Sequence, residues 1–87
     1  MKGFIVKNEI GEVINFETEE VATPEELELA MYIFGTSVKN QIIFHEKYEA
    51  EGAITKFVKP LTKMATSHPL PKMSIVEVEV KIVMQEV

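Results

Sequence analysis

Apolar residues recur at a clear helical spacing in one stretch, residues 23–34 (TPEELELAMYIF). Leu27, Ala30, Met31 and Phe34 fall there at i, i+3, i+4 and i+7 and share one face. The start is marked by local chemistry. Thr23 can accept a hydrogen bond from an orphan backbone N–H. Pro24 sits where a missing N–H costs nothing, and Glu26 completes a Thr-x-x-Glu capping box. Glu25, Glu26 and Glu28 suit the positive end of the helix dipole. Gly35 is expected to end the helix in a left-handed conformation.

The remainder reads as strand and loop. Residues 3–7 (GFIVK) and 13–16 (VINF) are short β-rich runs, and NEIGE between them supplies Asn8 and Gly11 for a turn, so a β-hairpin is expected. Residues 17–22 form an acidic connection, and residues 36–40 a loop after the helix. Residues 41–48 (QIIFHEKY) read as a strand with Ile42, Phe44 and Tyr48 on one face and Ile43, His45 and Lys47 on the other. EAEG, closed by Gly52, reads as a turn into a second strand over residues 53–59 (AITKFVK), which Pro60 stops. Residues 60–72 (PLTKMATSHPLPK) make the longest loop, with Leu61, Met64 and Leu70 more apolar than a solvated loop needs.

Residues 74–87 (SIVEVEVKIVMQEV) give the strongest strand pattern. Val76, Val78, Val80, Ile82 and Met84 alternate with Glu77, Glu79, Lys81 and Gln85, and Val83 and Val87 break the polar face. Such a strand would span roughly 45 Å. Its length suggests an end, Ile82, Val83, Met84 and Val87, that meets another subunit or partner, with Leu61, Met64 and Leu70 as further interface residues. The expected fold is a single α+β domain over residues 1–87: a mostly antiparallel sheet of four to five strands with one helix packed on a face.

Charge sharpens this picture. The net charge is −5, and residues 1–28 hold eight Glu against Lys2 and Lys7. An acidic chain does not bind phosphates through bulk charge, and without Arg it lacks bidentate guanine reading. Glu17, Glu19, Glu20 and Glu25 form a candidate acidic patch for a basic partner surface. With no cysteine, disulfides and thiolate metal sites are excluded. No apolar run is long enough to span a membrane, and the N-terminal run is too short for a signal peptide. At 87 residues the core is modest and gains from a partner, so a protein partner or homo-oligomer is expected, with no cofactor.

Candidate catalytic chemistry is sparse. His45 beside Glu46, and His68 after Thr66 and Ser67, offer a general base, with Thr55 or Ser67 as nucleophile. A zinc site would need His45, His68 and a Glu brought together by the loop. The four glycines, at 3, 11, 35 and 52, are too dispersed for a phosphate loop.

The order of elements resembles the core of phage prohead-maturation serine proteases of the Bacillus prophage kind. Gly3-Phe4-Ile5-Val6 resembles that family's opening strand, and Thr23-Pro24-Glu25-Glu26-Leu27 with Ala30 resembles its helix. His45 falls at the family's histidine, residues 53–60 (AITKFVKP) resemble its nucleophile strand, and Leu70-Pro71-Lys72 with the last strand resembles its end. Lys56 stands where the nucleophilic Ser belongs, and the family's acidic G-D segment has no counterpart. The resemblance therefore implies a retained fold without the protease: a phage structural or accessory protein, in the host cytoplasm or the virion, acting by protein–protein contacts. The alternatives are a hydrolase using His45 and a metal- or small-ligand-binding domain.

Overall fold

The computed structural model describes residues 1–64 and 72–81, without the side chains of residues 58–64. Its centre is strand β1 (Lys2–Lys7), paired antiparallel on one side with β4 (Ile43–Phe44) and on the other with β5 (Ser74–Glu79). A separate two-stranded ribbon joins β2 (Ile14–Asn15) to β3 (Glu20–Val21). Helix α1 (Pro24–Ile33) lies on one face of the main sheet and helix α2 (Lys47–Met64) on the other. The fold is thus α+β, but among the described residues the main sheet has three strands rather than four or five, and there are two helices rather than one.

The alternation of β1 explains the layering. Gly3 and Ile5 point toward α1; Phe4 and Val6 point toward α2. On the α1 side, Ile5, Ala30, Phe34, Ile42, Ile43 and Val80 form a buried cluster, with Leu27 and Met31 packed against it. On the α2 side, Val6, Phe44 and Ala50 are buried together, with Ala53, Ile54 and Ile75 around them. β1 therefore has both faces covered and both edges paired.

Gly3 is required by close approach. A Cβ there would lie 2.6 Å from Ile43 Cγ2, 3.0 Å from Phe34 Cζ and 3.1 Å from Val80 Cγ2. Three elements meet over one missing methyl group.

Helix α1 starts as the sequence predicts. Thr23 Oγ1 accepts from Glu26 N at 3.1 Å, and Glu26 Oε1 accepts from Thr23 N at 2.8 Å. Asn15, 4 % exposed, donates from Nδ2 to Glu26 Oε2 at 2.9 Å, tying the β2–β3 ribbon to the helix start. These bonds, the one from the Thr23 backbone foremost, hold the Glu26 carboxyl below its ordinary range. A lowered carboxyl pKa adds stability above its unfolded value, and this is lost as pH falls through the folded value.

The helix ends differently from expectation. Gly35 is not left-handed. The last carbonyls are satisfied by side chains instead: Thr36 Oγ1 donates to Ile33 O at 2.7 Å, and Asn40 Nδ2 donates to Ala30 O at 2.7 Å.

Other expectations need correction. The turn over residues 8–12 forms as read, held by Asn8 Oδ1 accepting from Ile10 N and Glu12 N, with Gly11 at φ 84°. Beyond a single bridge from Lys7 to Val13, however, the second run pairs with β3 inside the acidic connection, not with β1. The two strands expected over residues 41–48 and 53–59 are β4, only two residues long, and α2, which runs through Gly52 and Pro60. Ala50, Ala53, Ile54 and Phe57 fall at i, i+3, i+4 and i+7, and that stripe outweighs the two breakers. Leu61 and Met64 belong to α2 rather than to a loop. The final strand ends at Glu79; Leu70, Ile82, Val83, Met84 and Val87 lie outside the described residues.

Two stability changes of opposite sign are expected. Gly3→Ala forces Ile43, Phe34 or Val80 to shift and should cost about 1–3 kcal/mol. Gly52 lies inside α2, and a Cβ there would meet nothing within 4 Å, so Gly52→Ala should add about 0.5–1 kcal/mol. Chemical denaturation measures both. A neutral Gly3→Ala would refute the close approach, and a destabilising Gly52→Ala would refute the helix there.

Candidate interaction surfaces

Three surfaces hold the residues to which function can be traced: the end of β4 with His45, a groove beside α2, and the outer edge of β5.

His45 leaves β4 exposed and lays its ring on Phe34, centroids 4.1 Å apart and planes 12° from parallel. Phe34 is 1 % exposed, so the imidazole covers the rim of the α1-side core. Thr55 sits on the exposed side of α2 and donates its hydroxyl to Glu51 O at 3.0 Å, within its own helix. No hydrogen bond joins His45 to Thr55 among the described residues. Lys56, also exposed, is on α2, not on a strand. Ser67 and His68 lie outside the described residues. Among those described, no three His, Cys, Asp or Glu side chains gather as a metal site would need.

The acidic residues of the candidate patch are all at the surface. Glu17, Glu19 and Glu20 are exposed around the β2–β3 turn, and Glu25 is exposed in the first turn of α1. Glu19 takes φ 61°, a left-handed conformation more usual for glycine, as the ribbon closes on Asn15.

The groove is not legible in the sequence, because it depends on α2. About 590 Å³ lies between residues 36–41 and the first turns of that helix. Phe16 packs edge-on against Phe44 at 5.9 Å and Phe57 at 6.1 Å beneath it. Lys39 and Lys56 stand on its rim with Glu19 and Glu49, so both signs of charge are present.

The third surface follows from hydrogen-bond phase. Val80 N donates to Met1 O at 2.7 Å and Met1 N to Val80 O at 3.2 Å, which marks a mutually bonded pair. Counting by two, Val78, Val76 and Ser74 turn their backbone groups toward Gly3, Ile5 and Lys7 of β1. Ile75, Glu77 and Glu79 must then point their N–H and C=O groups outward. Among the described residues, nothing pairs with them.

The opposite edge is closed. The same phase turns Ile43 N outward from β4, where Asn40 Oδ1 accepts from it at 2.9 Å and from Ile42 N at 3.0 Å. Phe16 N donates to Gln41 O at 3.0 Å, holding the ribbon against this side. Among the described residues the sheet thus has one side-chain-capped edge and one open edge.

The stacking role of His45 can be separated from a chemical one. His45→Ala should cost about 0.5–1.5 kcal/mol of stability, and His45→Phe should restore it. Equal loss in both variants, read by thermal unfolding, would refute the stack as the reason for the residue. Comparison with family models, with curated proteins and with solved structures finds no match to this chain.

Proposed function

We propose that this protein acts by association rather than catalysis, and that the outer edge of β5 is where an extended segment of a protein partner adds to the sheet. The observation that carries the proposal is the outward phase of Ile75, Glu77 and Glu79 on a strand with no outer neighbour among the described residues. Three N–H donors and three C=O acceptors in one row form a template for strand addition. Each backbone bond made there contributes about 0.5–1.5 kcal/mol net. Val76 and Val78, only half-buried on the α1 side, gain cover from the same event.

A second reading has one observation behind it. The groove's volume and aromatic floor fall in the range of small-ligand pockets, about 300–1,000 Å³. Hydrolysis has weaker support: His45 lines the groove with its ring stacked on Phe34, but Thr55, on the exposed side of α2, donates its hydroxyl within its own helix and is not joined to it. A phage structural or accessory role is one setting for an association protein, and only the sequence resemblance favours it. The segment likened to the nucleophile strand is helical, so it adds no support to the resemblance. Among the described residues no helix is long and apolar enough to cross a membrane.

A random-peptide library panned against the protein tests the edge. Selected peptides should bind wild type and lose binding to Glu77→Pro, which removes one outward N–H and leaves the bonds of Val76 and Val78 to β1 intact. They should keep binding to a Lys56→Ala groove variant. Circular dichroism checks the fold of each, and Glu79→Pro stands in if Glu77→Pro does not fold. Peptides that bind the proline variant unchanged, or a library that yields none, would overturn the proposal.

A further inference from the structure

The charges along the open edge select the kind of strand that fits it. We infer that the segment accepted by β5 comes from a different protein and alternates Lys or Arg with apolar residues; this rests on the strand-addition reading above. Glu77 and Glu79 project from one face of β5, with side chains 54 % and 71 % exposed. Their cationic neighbours lie behind them, on β1 and just before it: Lys2 Nζ is 3.9 Å from Glu77, and the Met1 ammonium 2.8 Å from Glu79. A strand arriving from outside meets the two carboxylates first. Directly opposed cross-strand residues have Cβ atoms about 4.5–5.5 Å apart, where opposite charges attract and like charges repel.

A second copy of this chain is a poor occupant for the same reason. Only outward-facing residues can be mutually bonded across an antiparallel seam. The self-pairings that use most of β5 set Glu77 either against its own copy or diagonally beside it. Sliding the copy until Glu77 meets Lys81 leaves much of β5 outside the overlap and sets Glu79 against Glu79. Every such register gathers carboxylates on one face. A strand with a cation at each position facing Glu77 and Glu79 relieves this. The positions between would face Val76 and Val78, which favour β-branched or aromatic residues.

The test uses the full chain and three short labelled peptides read by fluorescence anisotropy: alternating Lys-Val, alternating Glu-Val, and a Lys-Val peptide with all lysines at one end. The alternating Lys-Val peptide should bind best and weaken about tenfold or more between roughly 0.05 and 0.5 M salt. Preference should invert in the double variant Glu77→Lys, Glu79→Lys, once its fold is verified. Equal binding of the blocked peptide would reduce the effect to bulk charge and overturn the inference. If the Glu-Val peptide binds as well, and Glu77→Pro abolishes both, the charge inference falls while the edge reading stands. If no peptide binds but the protein dimerises and Glu77→Pro prevents it, the occupant is a second copy and the inference is overturned. If nothing binds and no dimer forms, both readings fall.

Discussion

Much of this structure depends on one absent side chain. At Gly3 the central strand offers no Cβ, and Phe34 from the end of α1, Ile43 from β4 and Val80 beyond β5 close over the gap. All three are buried to 2 % exposure or less. The contact therefore sets how near α1 sits to the sheet and holds both neighbours of β1 against the same point. A methyl group at that position would push on three elements at once, in a core too small to absorb it elsewhere.

From that contact the two edges acquire different characters. On the β4 side, the chain leaving α1 must return to the sheet quickly. Asn40 makes the return by using both ends of its amide, the nitrogen on Ala30 O and the oxygen on Ile42 N and Ile43 N. One side chain thus finishes a helix and seals a sheet edge. The β5 side has no equivalent residue among those described. Its protection is electrostatic: Glu77 and Glu79 deter like-charged strands but remain compatible with a basic one. An edge closed by hydrogen bonds is closed to every strand, whereas one guarded by charge discriminates.

What is legible in the sequence is what is encoded locally. The start of α1 lies in Thr23, Pro24 and Glu26, and its buried face in the spacing of Leu27, Ala30, Met31 and Phe34; all four turn toward the sheet. The helix end is not legible in the same way. Gly35 is a common stop signal, while the actual caps, Thr36 and Asn40, reach back from further along. Helix α2 is hidden for two reasons. Gly52 and Pro60 punctuate it, and half of its apolar stripe is alanine, which weighs little in a hydropathy pattern although Ala50 is fully buried. The groove cannot be foreseen without that helix. The open edge is not legible in the same way: the sequence points to residues 82–87, outside those described, as the end that meets a partner, and which backbone groups of β5 face outward depends on register with β1, which no local pattern encodes.

Residue-resolved amide hydrogen exchange on the monomer addresses the edge itself: whether β5 bonds inward through alternate residues and lies open through the others. Slow exchange is expected at Val76 and Val78 and fast exchange at Ile75, Glu77 and Glu79, with the fast set slowing when a strand-forming partner is added. Uniform protection along β5 in the unpartnered monomer would mean that the edge is already covered, and would contradict an open template there.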